Sequence, residues 1–347
     1  MEEPGLTKAN ARSSRPQVGD IEGATLQIIR EQIIALRLDL SGLAVVAGAG
    51  EGQQAFVASA AVMAGAQKVV ALAKPTGGTE AAKATAGFAR SASVADRIQI
   101  VDHVASWEWQ AADIVVNCAQ IAPISRSIIE LLSPRAVIAL MAEPWELAVG
   151  AVDITACIGA GIKIAAPNYN HPQLVVHHEL AQLCCTLIEE AGAPLGDSLI
   201  AVICDTPMAP FIKLALSSRG ATVNVFPHPS LLTRSDWDVV VAAMRPSARP
   251  PMNINALAHI FETAGEALLV QFSGEVDRSA ANYFGLRIWP PKRPGRGQLG
   301  LPLHALGPHL PVCKLVAGLK AAESAYRGVR FEDGDIGYMV DAEIWHK

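Results

Sequence analysis

Leu43–Ala73 reads LAVVAGAGEGQQAFVASAAVMAGAQKVVALA. An apolar run closes in Gly48-Ala49-Gly50-Glu51-Gly52, an alanine-rich stretch of helical composition follows, and Lys68–Leu72 is a second apolar run. Strand, glycine turn, helix and strand in that order make one βαβ unit. The glycines have a physical task. Without Cβ atoms they let the chain turn sharply and let backbone N–H groups approach an anion at a helix N-terminus. The stretch therefore predicts an α/β domain that binds a nucleotide.

Working outward, strand signals at 43–47, 68–73, 98–102, 113–118, 135–141 and 162–166 alternate with helical stretches at 52–64, 78–90, 123–132 and about 145–157. Apolar strands without strict alternation indicate a parallel sheet covered on both faces. Six of them predict a complete Rossmann dinucleotide-binding domain. Before it, residues 1–19 are polar and read as a flexible lead-in. Asp20 is placed to cap a helix running to Arg37, with Ile21, Ile28, Ile29, Ile33 and Leu36 on one side. A long helical stretch, Gln173–Ala191, is ended by Gly192 and Ala193-Pro194. A second series then predicts strands at 199–204, 222–226, 238–243, 267–272 and 286–289, with helices at 208–218, 253–264 and 276–284. Residues 290–311 form a loop rich in Pro and Gly that carries Lys292, Arg293 and Arg296. Pro311 opens a helix to Tyr326 with Val312, Leu315, Val316, Leu319 and Ala322 as its apolar stripe. The acidic tail (Glu332, Asp333, Asp335) later carries Ile344 and Trp345, and it could dock on a neighbouring subunit. The expected division is a lead-in at 1–19, the Rossmann domain with its crossover helix at 20–192, a second α/β domain at 193–310, and a return helix and tail at 311–347.

Composition narrows the function classes. Of 347 residues, 51% are hydrophobic and 18% charged, with a net charge of −5. No basic tract favours nucleic acid. The most apolar stretch, Ala136–Pro167, is broken by Glu143, Glu146, Asp153 and Lys163, so it falls short of the ~18 apolar residues of a membrane span. The first residues lack the apolar core of a signal peptide. Cys118, Cys157, Cys184, Cys185, Cys204 and Cys313 sit mostly inside apolar runs, without paired metal spacing. They read as reduced, buried thiols of a cytoplasmic protein with no metal centre. The low charge predicts a large core and a homo-oligomer interface.

The glycine turn specifies the cofactor. Gly48, Gly50 and Gly52 are followed by Gln53, where a strict fingerprint has glycine or alanine. An acidic residue at the end of the second strand would bind a ribose 2′-hydroxyl. The chain has Ala73-Lys74-Pro75-Thr76 there, and a cation with a hydroxyl suits a 2′-phosphate. This favours NADP over NAD, although Lys74 could be a solvated loop lysine. It also opposes the competing reading of the glycine turn as an S-adenosylmethionine methyltransferase site. The expected cofactor contacts are Gly48, Gly50, Glu51, Gly52, Gln53, Lys74 and Thr76, with Cys118 and Ala119 beyond the fourth strand.

Ala112–Asn117 (ADIVVN), Ile121–Ser125 (IAPIS) and Ser133–Ile138 (SPRAVI) resemble the fourth strand, helix and fifth strand of two-domain NAD(P)-dependent dehydrogenases. These comprise the alanine dehydrogenase, D-2-hydroxyacid dehydrogenase and S-adenosylhomocysteine hydrolase group. The resemblance covers residues 38–192 in pattern and extends to 330 in architecture, with swapped domain order. It implies a Rossmann doubly wound parallel sheet, a second, smaller flavodoxin-like α/β domain, and two crossing helices, Gln173–Ala191 and Pro311–Tyr326.

Strand ends facing the inter-domain cleft then supply the catalytic candidates. Asn117 ends the fourth strand, where it could touch nicotinamide ribose or substrate or merely cap a turn. His171, in Pro167-Asn-Tyr-Asn-His-Pro172, resembles the Pro-His motif of the D-2-hydroxyacid dehydrogenases and is the acid/base candidate, with helix capping as its bland alternative. His177 and His178 read as surface or interface residues. Glu143 could orient His171 or bind a substrate amine. The D-2-hydroxyacid dehydrogenases instead have an arginine near this point, which binds the substrate carboxylate, and the missing cation could come from Arg245 or Arg278. Asp205 and His228 also end strands of the second domain, as substrate contacts or turn residues. Lys320 could bind a carboxylate or protonate a carbonyl, or be a solvated helix residue. The basic loop could close over substrate or cofactor phosphate. The resulting expectation is hydride transfer to or from a small polar carbonyl, imine or amino-acid-like substrate. A non-redox enzyme holding NAD and an inert Rossmann scaffold or nucleotide sensor are the alternatives.

Overall fold

A computed structural model describes residues 18–75, 78–118, 120–247 and 249–341, with the side chains of residues 18–20 and Gln53 excepted. Residues 1–17 of the lead-in expected at 1–19, together with Thr76, Ala119, Ile344 and Trp345, lie outside the described residues.

Apolar strands segregate into two sheets. The first contains β1 (Ala44–Gly48), β2 (Lys68–Leu72), β3 (Ile98–Val101), β4 (Ile114–Asn117), β5 (Val137–Leu140) and β6 (Lys163–Pro167). The second contains β7 (Leu199–Ile203), β8 (Thr222–Phe226), β9 (Val239–Ala243), β10 (Leu268–Ser273) and β11 (Arg287–Trp289). A last strand, β12 (Gly337–Met339), returns to the first sheet, whose order is β12-β6-β5-β4-β1-β2-β3. Its six earlier strands are parallel in the Rossmann order, and β12 pairs antiparallel with β6. This short segment of the tail thus adds an edge to the chain's own first sheet. The second sheet, β11-β10-β9-β7-β8, is parallel throughout and has the flavodoxin-like order.

The helices are α1 (Val18–Ala35), α2 (Val57–Met63), α3 (Gly78–Ser91), α4 (Ser106–Ala111), α5 (Arg126–Ile129), α6 (Ile154–Ala160), α7 (Val176–Glu190), α8 (Ala209–Ser217), α9 (Ile254–Ala264), α10 (Arg278–Tyr283) and α11 (His309–Tyr326). Several depart from expectation for local reasons. Asp20 lies inside α1, which begins at Val18, and so is not its cap. The helix after the glycine turn is divided: Gly52–Gln54 is one 3-10 turn and α2 starts at Val57. The stretch at 145–157 is also divided, because Asp153 accepts the Ala156 N–H at 2.8 Å and caps a new helix, α6. No helix among the described residues is long and apolar enough to cross a membrane. All six cysteines are free and buried.

One core runs through both sheets. On β7, Ile200 and Val202 face the main core, while Ala201 and Ile203 face a smaller one with Val240, Leu257 and Ile260. Leu183, Cys184 and Leu187 of α7 and Ile212 and Leu216 of α8 carry the main core to the first sheet. The return helix α11 has no solvated face comparable to the expected stripe pattern: Leu310–Leu319 and Ala321–Ala325 are all buried. Its closest approach is at Gly318, where a Cβ would collide with the Leu140 carbonyl and lie 2.6 Å from Met141 Cε. Gly318→Ala is expected to lower the unfolding free energy by about 2 kcal/mol, an overpacking cost. Urea denaturation checks this, and an unchanged midpoint would contradict the tight seating of α11 on β5.

Candidate functional site

Between the sheets lies a cavity of about 710 Å³, within the range of small-molecule sites. Its walls come from the C-terminal ends of parallel strands. Met141, Ala142 and Trp145 to Leu147 follow β5, Thr206 and Met208 follow β7, Met244 and Pro246 follow β9, and Ser273 ends β10 with Gly274 after it. Gln54 of the glycine turn, Lys314 of α11 and a strap at 290–303 complete it. Open parallel sheets bind ligands in this position, near the point where strand order reverses.

A buried ion pair forms one wall. Lys314 Nζ lies 2.5 Å from Glu146 Oε1, with the side chains 9% and 12% exposed. Glu146 Oε2 accepts the Glu143 N–H at 2.9 Å. The Glu143 carboxylate accepts the Trp145 indole N–H at 2.5 Å and the Tyr169 N–H at 3.0 Å. Burial pushes the Glu143 carboxyl up, while those two donors act against the shift. Tyr169 donates its hydroxyl to the Met141 carbonyl at 3.2 Å, and the Lys314 ammonium stands 5.2 Å over its ring. Burial, reinforced by Glu146 and Glu143, raises the Tyr169 hydroxyl well above its ordinary value.

Behind this wall sits His177, 1% exposed, so of the two places expected for it, surface or interface, it is not on the surface. Its ring stacks on Phe211 of α8 at 4.6 Å and meets Tyr169 edge-on at 5.6 Å. Nδ1 lies 3.1 Å from the Met208 sulfur, and Nε2 is buried without a partner. Burial pushes its pKa down to about 4; Glu146 opposes the shift, and Lys314 and His178 add to it.

The glycine turn is closed on its own side chains. Gly48 donates its N–H to Cys118 Sγ at 3.1 Å, and Gly50 donates to Thr85 Oγ1 at 3.0 Å. A Cβ at Gly48 would lie 2.7 Å from both Cys118 Sγ and Gln120 Cβ. Burial raises the Cys118 thiol pKa. Lys74 donates its N–H to Gln120 Oε1 at 3.4 Å and its ammonium to the Ala122 carbonyl at 3.0 Å. Gly52, at φ +53°, faces open space, and Glu51 beside it is exposed. The residues fit a dinucleotide at its nicotinamide end, because the cavity reaches the turn at Gln54, whose buried amide oxygen lacks a hydrogen-bond donor. At the other end, Gln120 stands beside Gly48 and accepts the Lys74 N–H, just beyond the ends of β1 and β2.

The structure separates the other candidates. Asn117 is buried at the end of β4. His171 accepts the Gln173 N–H at 3.2 Å and does not line the cavity, and the Glu143 oxygens are bonded to Trp145 and Tyr169. Lys320 bonds Glu323 at 2.6 Å and the Arg37 carbonyl at 2.9 Å; the cavity lysine of α11 is Lys314. Asp205 and Arg245 come together, with the Arg245 N–H on Asp205 Oδ1 at 2.9 Å. His228 is a turn residue whose Nδ1 accepts the Ser230 N–H at 3.2 Å. Arg278 holds Gln271 Oε1 and the Pro290 carbonyl, acting on the strap from outside the cavity. Sequence reading missed Lys314, Glu146, His177 and Gln120. Its one available signal was a lysine set in the apolar run Leu310–Leu319.

The architecture is that of two-domain dehydrogenases: a Rossmann sheet and a flavodoxin-like sheet meeting at their C-terminal strand ends. Among solved structures, the chain is similar to the A chain of dipicolinate synthase from Bacillus subtilis (TM-score 0.54, 12% identity, 85% of this chain and 100% of that one). It is also similar to the pyruvate reductase of Chlamydomonas reinhardtii (TM-score 0.52, 10% identity, 85% and 99%). A third is the NAD-dependent formate dehydrogenase of Staphylococcus aureus in complex with NAD (TM-score 0.50, 14% identity, 86% and 99%). At these identities the likeness establishes the fold. No family model matches the chain, and no curated protein sequence is detectably similar to it.

The buried His177 makes stability depend on pH in a defined direction. Its pKa falls from 6.5 to about 4 on folding, so the unfolded chain binds the extra proton between these values. The full contribution is present above pH 6.5 and is lost as pH falls towards 4, by up to about 3 kcal/mol. His177→Phe should flatten that limb of a stability–pH curve from urea denaturation. A limb of unchanged steepness would assign the acid sensitivity to other groups.

Proposed function

We propose that this protein is an oxidoreductase dependent on a nicotinamide dinucleotide, acting on a small polar carbonyl or imine held in the inter-domain cavity. The observation that carries this reading is the buried Lys314–Glu146 pair in a cavity that also reaches the glycine turn. When bound, the dinucleotide supplies or accepts the hydride. In the reducing direction Lys314 donates a proton to the substrate oxygen or nitrogen as that atom gains charge, and in the oxidising direction its neutral amine takes that proton as the hydride leaves. Glu146 holds the ammonium in place, and the Glu143 N–H fixes Glu146. The apolar walls, Leu147, Leu180 and Phe272 among them, keep water from the reacting atoms. This assigns the proton role to Lys314 in place of His171 or Lys320. Lys74 at the end of β2 supports NADP as the cofactor, provided that its ammonium leaves the Ala122 carbonyl.

Nicotinamide fluorescence of the purified protein during titration with NADPH and NADH tests the cofactor. NADPH should bind more tightly, and Lys74→Ala should remove most of that preference; equal affinities would refute the NADP assignment. Gln120→Ala should tighten both by several-fold by removing the side-chain amide that accepts the Lys74 N–H. Lys314→Met should leave binding within threefold and reduce hydride transfer by at least about 100-fold. Gln120 also favours a second reading, an inert scaffold. Failure of both nucleotides to bind even to Gln120→Ala would select it.

A further inference from the structure

The cavity has a charge pattern opposite to that of the chain as a whole. Net charge is −5. The cavity nevertheless takes three cations, Lys292, Arg293 and Lys314, against one carboxylate, Glu146. Lys314 and Glu146 neutralise each other. Lys292 and Arg293 form no ion pair among the described residues, which leaves a surplus of two positive charges at the mouth.

Those two residues sit on a strap that is anchored on both sides. At one end, Arg278 donates to the Pro290 carbonyl at 2.8 Å and is itself held by Gln271 Oε1 at 3.1 and 2.5 Å. At the other, Glu275 accepts the Gly297 N–H at 3.2 Å with one oxygen and the Ser247 N–H at 2.7 Å with the other. Both Glu275 oxygens thus serve the backbone. Gly300 adds an N–H to the Phe272 carbonyl at 2.8 Å, and a Cβ there would collide with the Gln271 carbonyl. Burial, followed by the nearby Arg293, lowers the Arg278 pKa. The half-buried Arg278 anchor and Arg293 therefore stand as like charges near each other, an arrangement that an anion relieves. Fixed attachment also reduces the ordering cost of binding that anion.

We infer that the substrate carries a dianionic group, a pair of carboxylates or a phosphate, held by Lys292 and Arg293 while its reacting end meets Lys314. The inference rests on the cavity being the substrate site. An arginine fork beside a lysine matches such a group, through bidentate bonds from one and a point charge from the other.

Calorimetric titration of the full chain without nucleotide, using inorganic phosphate, succinate and propionate, tests it. Phosphate or succinate should bind at least tenfold more tightly than propionate, and which of the two binds better tells phosphate from dicarboxylate. The exposed pair Lys292→Gln/Arg293→Gln should reduce the preference to threefold or less without moving the urea midpoint. Equal binding of all three anions, or a preference that survives the double variant, would overturn the inference. NADPH titration of the same variant separates the two readings. If NADPH weakens more than tenfold together with the dianion, the strap belongs to the cofactor and the inference fails. If no nucleotide binds the wild type but the strap-dependent preference is present, the oxidoreductase reading fails and the dianion site stands.

Discussion

The Lys314–Glu146 pair is the constraint on which the rest of the arrangement depends. Helix α11 is buried along almost its entire length, and a charge in such a place is tolerated only when paired. It carries two buried charges and pairs each of them. Glu323 meets Lys320 at 2.6 Å and Arg327 at 2.9 Å, while Lys314 meets Glu146 beyond β5. Removing one partner of a buried pair generally costs about 3–5 kcal/mol, so α11 is held to the end of β5 in one register. Gly318 then sets the spacing. The pair that seats the helix is also the charged wall of the cavity.

The continuous core adds a second constraint. Because Ile200 and Val202 share a core with the first sheet through α7 and α8, the second sheet is placed by packing as well as by chain connection. Phe211 reaches from α8 to His177 on α7, which in turn meets Tyr169 beside Glu143. Apolar packing between the halves therefore bears directly on the groups that hold Glu146. This gives the neutral state of His177 a structural consequence: a protonated ring would place a charge among Phe211, Trp145 and Met208.

Local pattern carried most of the architecture and little of the site. The glycine turn and uniformly apolar strands such as Val239–Ala243 have one natural reading, a parallel sheet covered on both faces. Lys314 and Lys320 do not differ in this way. Both lie among apolar and small residues on one helix, and only the long-range packing of α11 on β5 sends one to the cavity and the other to Arg37. His171 and His177 differ for a similar reason. His171 stays in a turn of its own making, whereas His177 is buried by a phenylalanine that arrives from the second half. The strand β12 has three residues, too few for a periodic signal, and forms because β6 offers it an edge.

The two ends of the proposed cofactor path differ in how firmly they are set. At the nicotinamide end, the wall is built from a 2.5 Å ion pair and short bonds to Glu143. At the adenosine end, Gln120 stands beside Gly48, and its bond to Lys74 N is 3.4 Å long. A partly exposed amide contact of that length is worth far less than a buried charged pair. The cost of opening the path therefore falls on its weakest contacts. The groups that would handle the proton are fixed before any ligand arrives, as preorganised catalysis requires.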